Sequence, residues 1–119
     1  MKPLHWVGAA LRDLQAMPES VKDAFGYALF LAQRGERSPK AKTLSGFGSA
    51  GVLEVVAYEA GGTFRAVYTV RFANAVYVLH CFQKKSKAGI ATPKADMELI
   101  RARLRQAQAH AEAETGERP

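Results

Sequence analysis

The sequence predicts an α+β fold: an N-terminal helical hairpin packed on a small, mainly antiparallel sheet, with a further helix at the C-terminus. Three observations carry that prediction. Apolar residues recur at helical spacing up to about Arg34. Three runs rich in Val, Tyr and Phe follow, and the breaks between them are too short for anything but antiparallel neighbours. A last helical stripe begins after Thr92-Pro93.

Taken in order, the chain opens on a possible short strand at Pro3–Trp6, and Val7, Leu11 and Leu14 then recur as on one helix face. Pro18 breaks that pattern and suits the first position of a second helix. There Val21, Phe25, Ala28 and Ala32 form a stripe broadened by Leu29, and Gly35 stands where a helix-ending glycine belongs. The polar connector Glu36–Ser49 carries Lys40 and Lys42. It reads as a plain surface loop, or alternatively as a loop that grips phosphate.

The strands are GVLEVVAYE, TFRAVYTVRF and AVYVLHCFQKK, broken at Ala60-Gly61-Gly62 and Ala73-Asn74. In the middle one Phe64, Ala66, Tyr68, Val70 and Phe72 share the face expected to lie on the helices. Arg65, Val67, Thr69 and Arg71 share the other. In the last helix Met97, Ile100, Leu104 and Ala107 form the stripe, with Arg101, Arg103 and Arg105 around it. From about His110 the tail is expected to fray, and residues 1–119 read as one domain.

Composition narrows the function. Hydrophobic residues at 48% and charged residues at 24% argue against a disordered or fibrous chain. The net charge of +6 points to an anionic partner: nucleic acid first, an acidic protein second, a membrane surface third. Cys81 is the lone cysteine, so no intrachain disulfide forms, and on a strand it faces away from its neighbour His80. Arg12 and Asp13 interrupt the first apolar stretch too early for a secretory leader, and Ala24–Ala32 is too short to cross a bilayer. A soluble, cytoplasmic protein with no membrane partner is the expectation.

Familiar catalytic motifs are absent: no P-loop, no HExxH, no nucleophile elbow. His5, His80 and His110 lack ligand spacing, so no metal or other cofactor is expected. What stands out is cation density. Arg65 lies near the start of one strand, and its antiparallel neighbour runs into Gln83-Lys84-Lys85-Ser86-Lys87, so these cations converge at one end of the sheet. Either they are an edge-protecting, solvated cluster, or they are a phosphate site.

The order of these features resembles the RelE/ParE toxin superfamily, and most of all its phage-type, HigB-like branch. The stretches that carry the resemblance are TLSGFGSAGVLEV; FRAVYTVRF, similar to a recurring YRxxY strand; VYVLHCFQKKSK, similar to a final strand ending in FxKK; and TPKADMELIRARL, similar to a TP-started last helix. Two departures stand beside them. Glu54-Val55-Val56 occupies a place where relatives carry a cation, and Gly89–Thr92 occupies the place of a tyrosine. A stacking aromatic in place of that tyrosine either comes from elsewhere, Phe82, Tyr77 or Tyr58, or is absent.

The resemblance implies the toxin of a type II toxin–antitoxin pair that cleaves mRNA on the ribosome without a metal. It implies Arg65 as a phosphate clamp and Lys84 and Lys85 as charge stabilisers, one of which can serve as base if its pKa is lowered. His80 is the other proton-transfer candidate. Arg71, Lys87, Lys40, Lys42 and Phe82 are the accompanying candidates for RNA or phosphate contact. The implied partners are mRNA, the ribosome and a cognate antitoxin of helix-turn-helix type. The alternatives within the same fold are a ParE-like gyrase inhibitor and a catalytically inactive module that only binds an antitoxin.

Overall fold

A proline and a glycine set the limits of the longer hairpin helix. The computed structural model describes residues 1–84 and 92–115. Within it, α1 (Ala10–Gln15) leads through Pro18 into α2 (Glu19–Gln33). Pro18 stands one position outside α2, with extended backbone (φ −57°, ψ 151°), where a first helical position was expected. Its carbonyl accepts the first helical bonds, from the Val21 and Lys22 amides at 3.0 Å. At the other end Gly35 takes φ +77°. The Glu36 amide then reaches Leu31 O (2.8 Å) and the Gly35 amide reaches Ala32 O (3.0 Å), closing the helix.

The expected stripe of α2 is buried throughout. That of α1 is not. Leu11 is 38% exposed, because a six-residue helix turns only Ala10 and Leu14 inward.

The sheet has five strands in the order β1-β5-β4-β3-β2. The strands are β1 (Leu4–Trp6), β2 (Ala41–Thr43), β3 (Val52–Glu59), β4 (Gly62–Thr69) and β5 (Val76–Lys84). The meander β3–β4–β5 is antiparallel as predicted, and β1 adds to β5 in parallel. The connector expected to be a plain loop contains β2, an edge strand of three residues, too short to show alternation in the sequence. β4 also ends earlier than its pattern. Thr69 Oγ1 accepts the Arg71 amide (3.2 Å) and donates to Ala50 O (2.9 Å), which turns the chain away before Phe72.

Both faces of the sheet are covered. Phe64, Ala66 and Tyr68 pack with Phe25, Leu29 and Cys81 under the hairpin, as their alternation requires. Phe72 instead joins the second cluster, since it lies beyond the end of the strand. The opposite face meets α3 (Lys94–Thr115), whose Ile100 and Ala107 pack on Val52, Val67, Tyr77 and Leu79. α3 also runs through the segment expected to fray. Ala111 packs against the second cluster, which anchors that stretch of helix.

One irregularity sets the chemistry. Val67 is opposite His80 but Tyr68 is opposite Val78, so Leu79 is the extra residue of a β-bulge. The bulge reverses the alternation of β5. It turns His80, Phe82 and Lys84 to the face that carries Arg65, and Cys81 into the hairpin-side core.

Candidate active site

Register places the candidate side chains in rows across one face. Glu54, Val67 and His80 form one row; Val56, Arg65 and Phe82 the next; Tyr58, Thr63 and Lys84 the last. Arg65, His80 and Lys84 are each 6% exposed. The expected convergence of Arg65 with Lys84 therefore holds, but in a buried setting.

That burial is compatible with charge because Arg65 is paired. Its Nη1 lies 3.0 Å from Glu54 Oε2, and Thr92 Oγ1 donates to the same oxygen at 3.3 Å. Glu54 opens the Glu54-Val55-Val56 stretch in which the sequence reading found a cation missing. It is the counter-ion of the retained one, diagonal to it on the adjacent strand.

His80 is held on both ring nitrogens. Nε2 is 2.8 Å from Asp96 Oδ1, on the first turn of α3. Arg103 Nη1 donates to Leu79 O (2.9 Å) and lies 3.4 Å from His80 Nδ1. A guanidinium has no acceptor, so Nδ1 is the lone-pair nitrogen and Nε2–H donates to Asp96. Burial lowers the His80 pKa below its ordinary value, Arg103 pushes the same way, and Asp96 opposes both. The imidazole is thus neutral near pH 7, of defined tautomer, and stacked on Phe82 with ring centroids 4.5 Å apart.

The other predicted residues are dispersed. Arg71 is exposed beyond the far end of β4, its guanidinium over the Phe72 ring at 5.8 Å. Lys40 and Lys42 are exposed at the β2 edge. Lys85 and Lys87 lie outside the described residues. Cys81 faces away from His80, and burial pushes its thiol up to about 12. Glu54, Asp96, Thr92 and Arg103 are the participants that sequence reasoning missed as site residues. Only Glu54 left a signal, since it shares the strand parity that faces Arg65.

The other two histidines, scattered in the sequence, meet at the opposite end of the sheet. His5 and His110 have ring centroids 3.9 Å apart, and Tyr77 Oη is 2.8 Å from His110 Nδ1. They border a cavity of about 740 Å³ with Arg71 and Phe72. Among the described residues, no three His, Cys, Asp or Glu side chains cluster to hold a metal ion, and no helix is long and apolar enough to cross a membrane.

The arrangement therefore joins two buried cations, one neutral imidazole and two carboxylates on a single face. Such a set can stabilise a dianionic phosphorane and move a proton. The sequence matches the family model of phage-derived Gp49-like proteins over residues 12–105. The fold is similar to that of the E. coli toxin RelE, solved as an arginine-to-alanine double mutant in the free state. The TM-score is 0.54 at 13% identity, covering 89% of this chain and 96% of that one. A chain of the toxin–antitoxin complex RelBE2 from Mycobacterium tuberculosis gives a TM-score of 0.43 at 20% identity, covering 71% and 93% respectively. No curated protein matches the sequence.

Proposed function

The chain belongs to the phage-derived Gp49-like family, a family of RelE/HigB-type toxins, and on that premise we propose that it is the toxin of a type II toxin–antitoxin pair that cleaves mRNA on the ribosome. The single observation that supports this reading is the convergence of Arg65, Lys84 and His80 on one sheet face.

In the proposed reaction the ribose 2′-oxygen attacks the adjacent phosphorus and the P–O5′ bond breaks, leaving a 2′,3′-cyclic phosphate and a 5′-hydroxyl. His80, neutral and oriented by Asp96, takes the 2′-hydroxyl proton. Arg65 and Lys84 offset the growing charge on the phosphorane oxygens. A proton returns to the departing 5′-oxygen, so no net proton is consumed. No metal enters this scheme. The phosphate must replace Glu54 as the partner of Arg65, which suits an enzyme whose substrate is positioned by a larger machine.

The partner is a cognate antitoxin. One observation favours a second reading: the Arg65–Glu54 pair already satisfies the clamp, as it would in an inactive module that only binds its antitoxin.

Induced expression in bacteria of the wild type, Arg65→Ala and Lys84→Ala, with mapping of mRNA 5′ ends, separates the readings. New ends in the wild type alone support the nuclease. Arrest without new ends points to gyrase inhibition, and absence of arrest points to the inactive module.

A further inference from the structure

Strand β2 pairs with Leu53–Val55 only. Past Val55 the outer edge of β3 borders a groove of about 520 Å³, closed on the far side by the first turns of α2. Lys40 and Lys42 line one wall, Ser20 and Val21 the other, with Tyr58 and Glu59 beside them on β3. Both lysines are exposed, and Tyr58 is 79% exposed despite its large apolar ring. Glu59 is engaged by the Ser20 hydroxyl, which donates to its carboxylate.

The register connects this groove to the candidate site. Tyr58 is opposite Thr63, and Thr63 is opposite Lys84, so all three share a row and a face. Two inter-strand spacings separate Tyr58 from Lys84, about 10 Å between backbones. The aromatics on β5 are engaged elsewhere. Phe82 is stacked on His80, and Tyr77 lies at the opposite end of β5 beside His110.

Resting on the nuclease reading, we propose that Tyr58 is the base-stacking, specificity-determining residue of an RNA path, and that Lys40 and Lys42 hold flanking phosphates along the groove. A nucleobase offers a flat apolar surface that covers the ring, and exposed lysines supply the counter-charge for the backbone. The lysine wall carries the phosphates, while Glu59 bounds the path on the α2 side. A peptide strand added to β3 would lie in the plane of the sheet. It would not use the face on which Tyr58 lines up with Lys84, so the observations favour RNA over protein.

Anisotropy of a short fluorescein-labelled single-stranded RNA tests the assignment without the ribosome. Tyr58→Ala weakens binding about tenfold or more, whereas Tyr58→Phe binds as the wild type does. The pair Lys40→Gln and Lys42→Gln together flattens the salt dependence by about 1.4 in slope. All three positions are exposed, so folding is preserved. The proposal is overturned if Tyr58→Ala binds as tightly as the wild type, or if the wild type binds no RNA. It is also overturned if these variants weaken antitoxin capture and leave RNA binding intact, which assigns the groove to protein. Mapping of mRNA ends keeps the two ideas apart. Tyr58-dependent RNA binding without cleavage defeats the nuclease reading and leaves the RNA path standing. Cleavage whose rate and base preference ignore Tyr58→Ala does the reverse.

Discussion

Glu54 holds the guanidinium of Arg65 at 3.0 Å across the β3–β4 boundary, with side-chain exposures of 11% and 7%. A buried pair of this kind costs heavily when only one member is removed, because the survivor is left as an uncompensated charge. Glu54→Ala should therefore lower stability by about 3–5 kcal/mol in urea titrations. The double variant Glu54→Ala/Arg65→Ala should lose clearly less than the sum of the single losses. Additive losses would show that the two side chains are not coupled.

The histidines give stability a definite sign with pH. His80 and His5 both have pKa values lowered in the folded protein, first by burial. As pH falls through the ordinary histidine value of about 6.5, the unfolded chain binds these protons before the folded one does. The contribution is thus fully present above that pH and declines on acidification, levelling below the folded values. Denaturation midpoints measured between neutral and mildly acidic pH should shift downward, and less so in His80→Gln.

The tautomer of His80 can be read directly. Imidazole NMR correlations should show the proton on Nε2, the nitrogen facing Asp96. Arg103→Gln removes a nearby cation and should raise the His80 pKa, while Asp96→Asn removes the supporting anion and should lower it. A proton on Nδ1 in the wild type contradicts the assignment of the 3.4 Å Arg103 contact as a donor to that nitrogen.

Ile100 is 0% exposed under α3, whereas its neighbour Leu99 is 36% exposed. Ile100→Ala should cost about 2–5 kcal/mol through lost burial and the cavity left behind. Leu99→Ala should stay within about 0.5 kcal/mol. Equal effects would mean that α3 does not rest on the sheet in this orientation.

Cys81 should resist a thiol reagent in the native protein at neutral pH. The thiol is buried and its pKa is pushed up to about 12, so the reactive thiolate is scarce as well as inaccessible. Labelling rates that track unfolding, measured across a denaturant series, are the expected result.

Much of this architecture was legible in the residues. The α2 stripe, the Gly35 stop, the meander and the Arg65–Lys84 convergence follow from periodicities that dominate their own segments. What escaped depends on partners distant in sequence. β2 exists because β3 offers it an edge, and three residues carry no periodicity of their own. That α3 covers the second face could not be read locally, because α3 begins 23 residues beyond Arg71 by numbering. Glu54 and Asp96 are ordinary acids until tertiary contact sets them against Arg65 and His80.

The β-bulge at Leu79 makes membership of the site a matter of parity. Everything downstream on β5 reaches its face by an odd step. Regular pairing of the same residues, with Leu79 taking a place in the ladder, would exchange the two sides of the strand's end. Leu79 would then stand where His80 stands, Cys81 where Phe82 does and Gln83 where Lys84 does, giving an identical polypeptide with a thiol and an amide on the face of Arg65. Along this strand, chemical identity is inherited by counting as much as by residue type. A homologue that keeps its histidine and lysine but pairs the full-length strand without the bulge would retain the letters of the site without its meaning, whereas one that drops the extra position would keep both.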